Sequence, residues 1–141
     1  MSDLGRFIQA QQGVYQQALI EVRSGRKRSH WMWYVFPQLA GLGHSSTAQY
    51  YAIADLDETA AYLAEPVLGD RLVEITTALL AGQSRDVHAI FGYPDDLKLR
   101  SCMTLFAQVP GASGVFQQVI DEFFDGQPDQ ATLSLLNPQT G

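Results

Sequence analysis

One cysteine in 141 residues, Cys102, leaves the chain unable to close a disulfide on itself or to assemble a multi-cysteine zinc site. A reducing compartment fits that scarcity best. Charge is scarce as well: 17% of residues are charged, with 9 Lys or Arg against 15 Asp or Glu and a formal net charge of −6. Such a chain has no basic face broad enough for nonspecific attachment to a nucleic-acid backbone. No apolar run reaches the length that crosses a bilayer, and the opening MSDLGRFIQAQQ lacks the basic-then-apolar pattern of a secretion signal. A soluble cytoplasmic protein that does not engage membranes is expected. Internal repeats, low-complexity tracts and linkers are missing too, so residues 1–141 are expected to form a single domain.

The 46% hydrophobic content is distributed mostly at helical spacing. Apolar residues from Leu4 to Val22 recur every three or four positions, which predicts one amphipathic helix ended by Gly25. Ser46 with Gln49, and Asp55 with Glu58, have the spacing of capping boxes. Pro66 suits the first turn of a further helix whose buried stripe is Leu68, Leu72, Ile75 and Leu79, with Gly82 at its end. Ser84 is placed to cap a short helix stopping at Gly92, and YPDD to open another with apolar positions at Leu97, Cys102, Leu105 and Phe106. Val115, Phe116, Val119, Ile120, Phe123 and Phe124 mark one face of a strongly periodic helix. Only WMWYVF, between Ser29 and Pro37, has strand-like composition, and without a strand to pair with it is expected as an extended or single-turn segment. The fold expected is all-α: a compact bundle of six to eight helices with an irregular aromatic segment at 29–44.

That segment also concentrates the polar chemistry. SGRKRSHWMWYVFPQLAGLGHSS, Ser24 to Ser46, holds three consecutive basic residues, both tryptophans and two of the three histidines. Arg26 and Lys27 would neutralise an anion, and His30 and His44 would serve as hydrogen-bonding or acid/base groups. Trp31 or Trp33 would form a stacking wall. Gly41 and Gly43 permit close approach of backbone, and the free amides of the helix near Ser46 would face a phosphate. Gln38 and Ser45 complete the candidate set. The competing reading makes the aromatics core, the arginines a helix-end cover and Gly41 and Gly43 a turn; the Gly-x-Gly lacks a Walker lysine and the full dinucleotide pattern. Between the two tryptophans, one buried and one at the rim is expected.

Elsewhere the residues point to structure. Adjacent carboxylates on a helix, such as Asp95 and Asp96, diverge by about 100°, so helix-start electrostatics explains them better than a shared proton or metal. His30, His44 and His88 stand at no metal-binding spacing, and neither a metal nor a cofactor is expected. Ser29 beside His30 and Ser45 beside His44 lack a nucleophile elbow, and no residue is assigned a catalytic role.

KRSHWMWYVFPQLAGLG, EPVLGDRL, IFGYPDDLKLRSCMTLF and IDEFFDGQPDQATLSLL, standing in that order between about Leu4 and Leu136, are similar to the bacterial family known as domain of unknown function 1810, some members of which are labelled calpastatin-like. The resemblance implies a mainly helical single domain and no particular activity. Cys102 stands where the resemblance leads us to expect a serine in many relatives, which speaks against an essential thiol. From the residues themselves, the function expected is binding of a phosphorylated or nucleotide-like small molecule at 26–46. The alternative is a protein-interaction module without catalytic activity, suggested by Phe116, Phe123 and Phe124 on one helix.

Overall fold

The apolar stripe from Leu4 to Val22 is two helices in the computed structural model, which describes residues 3–137. Gly13, at a φ of 73°, separates α1 (Gly5–Gln11) from α2 (Tyr15–Ser24). A left-handed glycine turns the chain without disturbing the spacing of the apolar residues on either side, so periodicity alone reads straight through it. Gly25 ends α2 as expected, left-handed, with its N–H on the carbonyls of Glu21 and Val22.

The aromatic run makes one turn of helix, α3 (Met32–Val35), and then extends. Leu39 forms an isolated parallel bridge with Ile53, in which Ile53 N donates to the Gln38 carbonyl at 2.9 Å and Ala40 N to the Ile53 carbonyl at 2.8 Å. No strand forms among the described residues. α4 (Ser46–Tyr50) is capped by Ser45 rather than Ser46, with Ala48 N donating to Ser45 Oγ at 3.1 Å. Asp55 caps α5 (Leu56–Ala64) through Glu58 N, and Glu58 reaches back to Ala54 N. Pro66 opens α6 (Pro66–Ala81), and Leu68, Leu72, Ile75 and Leu79 are buried along it.

Asp86, not Ser84, caps α7 (Val87–Phe91), its Oδ1 accepting from Ala89 N at 3.1 Å. Asp86 is the nearer residue to the first turn, and the Ser84 hydroxyl accepts from Asp86 N instead. α8 (Asp95–Ala107) follows Gly92, then α9 (Val115–Phe123) and α10 (Gln130–Leu136), the last capped by Asp129. Ten helices are thus present among the described residues, seven of them seven residues or longer. The excess over six to eight comes from the break at Gly13, the single turn α3 and the short α10.

α8 lies at the centre, against α5, α7, α9 and α10, while α6 packs on α1, α2, α5 and α9. Every residue from Ser101 to Phe106 is buried, and burial pushes the Cys102 thiol well above its ordinary pKa. The α9 face carrying Phe116, Val119, Ile120 and Phe123 is spent inside the molecule. Leu97 departs from its expected place, being 47% exposed at the start of α8. Among the described residues, no helix is long and apolar enough to cross a membrane.

Candidate functional site

The loop from Arg26 to Trp31 is built around a carboxylate that charge counting alone does not single out. Glu21 sits in the last turns of α2, on the face it shares with Ala18 and Val22, and is 2% exposed. Its Oε1 accepts from Arg28 N at 2.7 Å, Ser29 N at 3.0 Å and Trp31 Nε1 at 3.0 Å. Oε2 accepts from Ser29 Oγ at 2.6 Å and Gln17 Nε2 at 3.0 Å. Burial pushes this carboxyl up, but the hydrogen bonds from Ser29, Arg28, Gln17 and Trp31 outweigh it and hold the pKa down at about 2. The acid is therefore ionised at neutral pH and fixes the loop.

Two lysines then share a second carboxylate. Lys27 Nζ lies 2.9 Å from Asp95 Oδ2, donates to the Ser29 carbonyl and sits 4.9 Å from the Trp31 ring centre; its side chain is 7% exposed. Lys98 Nζ lies 3.6 Å from Asp95 Oδ1 and 5.2 Å from the Trp33 ring centre. Asp95 thus acts in the first turn of α8 and also faces the basic segment, while Asp96 meets His88 Nδ1 at 3.3 Å. Trp31, fully buried, contacts Phe36 and Phe91 edge-on or tilted. Lys27 and Trp31 consequently form the interior of this region.

Trp33 is only half-buried and borders an open groove of about 510 Å³ with Tyr34, Tyr50, Tyr51, Ser46 and Thr47. The Tyr34 and Tyr51 rings are 5.2 Å apart, and Tyr50 meets Tyr51 edge-on at 4.8 Å while remaining 59% exposed. Burial, and then the neighbouring Tyr51, raise the pKa of Tyr34, whose hydroxyl donates to the His30 carbonyl at 3.3 Å. That bond ties the groove to the loop carrying His30, Arg28 and Arg26, all exposed. His44 and Ser45 are exposed and directly precede Ser46, which borders the groove.

Gln38 and Gly43 border a different groove of about 250 Å³, which also includes Lys98, Ser101 and Asp129. Gly43 is required there, since a Cβ at this position would stand 2.5 Å from that of Ala48. Gly41, at a φ of 102°, turns the chain beside Leu135. Sequence reasoning missed Glu21, Tyr34, Tyr50, Tyr51, Lys98 and Asp129 as residues of this region.

The profile of the family described as a protein of unknown function (DUF1810) matches residues 1–136. The chain belongs to that family. Among solved structures it is similar to the conserved hypothetical protein Rv1873 from Mycobacterium tuberculosis, with 48% identity over 95% of this chain and 96% of that one, at a TM-score of 0.93. A comparison with curated proteins finds no match.

Proposed function

We propose that this DUF1810 protein binds a nucleotide-like small molecule, with its planar ring in the groove of Trp33, Tyr34, Tyr50 and Tyr51. The observation that carries the reading is the groove itself: four aromatic side chains border one solvent-open depression beside a loop bearing exposed cations. Stacking on such side chains contributes about 1–3 kcal/mol per base and tolerates different bases. Lys27 is committed to Asp95 and Ser29, so phosphate recognition falls to Arg26 and Arg28, with His30 and His44 as hydrogen-bonding groups at the rims. Binding, rather than a chemical step, is what these residues support.

Thermal shift with nucleoside monophosphates, diphosphates and the matching nucleosides tests this. At least one nucleotide is expected to raise the melting temperature. An Arg26→Ala/Arg28→Ala variant should fold normally and bind that nucleotide at least tenfold more weakly, since a charge-assisted hydrogen bond is worth about 1.5–3 kcal/mol, while nucleoside binding is unchanged. No stabilisation by any compound at millimolar concentration would remove the proposal.

A further inference from the structure

The smaller groove, between the Gln38–Gly43 turn and the first turns of α8, brings together polar groups that the fold leaves partly unused. At about 250 Å³ it lies below the roughly 300 Å³ at which sites for drug-sized ligands begin, so a molecule of few heavy atoms fills it. Asp129 Oδ2 accepts from Ser101 Oγ at 3.1 Å, Thr132 N at 3.1 Å and Thr132 Oγ1 at 2.6 Å. Its Oδ1 receives no hydrogen bond from any described residue, and the Gln38 side-chain amide makes none. Lys98 Nζ stands 3.6 Å from Asp95 Oδ1, beyond hydrogen-bond length, while Lys27 holds Asp95 Oδ2 at 2.9 Å. Lys98 and Ser101, the hydrogen-bond partner of Asp129, are three residues apart on α8, so an amine and a carboxylate border one groove. Leu42, Pro94 and Leu97 supply an apolar wall, which gives the exposed Leu97 a role.

The signs of the charges decide what fits. A phosphate drawn to Lys98 would also meet Asp95 and Asp129, and a simple cation drawn to Asp129 would meet Lys98. A molecule carrying a carboxylate and an ammonium on one carbon satisfies both. We propose that this groove binds a free α-amino acid with an apolar side chain. Its carboxylate lies on Lys98 and the Gln38 amide, its ammonium on Asp129 Oδ1, and its side chain along Leu42, Pro94 and Leu97. Trp33 and Gln38 stand between this groove and the aromatic one, and the proposal is independent of nucleotide binding.

The test is an NMR titration of isotope-labelled protein with L-leucine and L-methionine, beside N-acetyl-L-leucine, which lacks the ammonium, and L-leucinamide, which lacks the carboxylate. The free amino acids should shift the Gln38 side-chain amide and the Ala131 backbone amide saturably at millimolar concentration. Each derivative should bind at least about tenfold more weakly, the loss of one charge-assisted hydrogen bond. Lys98→Met should abolish the preference for leucine over leucinamide, and Asp129→Asn, which keeps a competent helix cap, the preference over N-acetyl-leucine. Absence of any shift with both amino acids, or equal binding of leucine and its two derivatives, would overturn the proposal. Should either variant fail to fold, the comparison of ligands on the native chain still decides.

Discussion

A carboxylate in the last turns of a helix meets the negative end of the helix dipole, and burial adds a desolvation cost. Glu21 accepts both because five donors converge on it. Its pKa of about 2, against an ordinary 4.5, fixes the sign of the consequence. The unfolded chain takes up this proton first, so the contribution is complete above pH 4.5 and is lost as pH falls towards 2, amounting to about 3 kcal/mol. Glu21→Gln should lose about 2–4 kcal/mol at neutral pH, since an amide turns donors towards donors. Urea unfolding at pH 7 and pH 3 should show that variant losing less stability on acidification than the wild type. Equal acid sensitivity would refute the role. Little of this was legible in sequence, where a glutamate beside Arg23 reads as a solvated helix end. The division of the tryptophans was expected, but no regular angle sets it, since Trp31 stands at the non-helical N-cap of α3 and Trp33 within the turn. Which one faced inward depended on the distant Glu21.

Elements with a single buried face were readable residue by residue, whereas for one enclosed on several sides, α8, the helix was legible but its continuous burial was not. The stripe of α6 was legible residue by residue because one face meets the core and the other meets water. α8, buried continuously from Ser101 to Phe106, has no polar face in that stretch to set the period, and the short α10 carries too few apolar positions to announce itself. The α5–α6 corner supplies a test at this scale. A Cβ on Gly69 would lie 2.1 Å from the Leu63 carbonyl oxygen, a backbone atom that cannot rotate away. Gly69→Ala should therefore separate the two helices and cost about 3 kcal/mol, visible as a lower denaturation midpoint with an unchanged slope. A variant as stable as the wild type would show that this close approach is not needed.

Over the whole molecule, an acidic chain keeps its few cations in two states. Lys27 and Lys98 are gathered on Asp95 against the two tryptophans, while Arg26 and Arg28 remain exposed on the loop that Glu21 holds. The all-α class and the aromatic segment as a region of interest were legible from composition and spacing. The aromatic groove extends that segment by only a few residues, to Tyr50 and Tyr51, whereas the second groove was not legible because Lys98 and Asp129 reach it from elements far from 29–44 in sequence. Trp31 is scaffold and Trp33 a wall of the proposed ligand groove, and the chain's two tryptophans give two indole N–H signals that report on each. The most direct measurement follows both signals by NMR during titration with adenosine and guanosine monophosphates and diphosphates. The Trp33 indole should shift saturably, while the Trp31 indole, bonded to Glu21, should stay in place and remain protected from hydrogen exchange. A Trp33 signal unmoved by all four nucleotides, or a Trp31 signal that exchanges freely, would contradict the account.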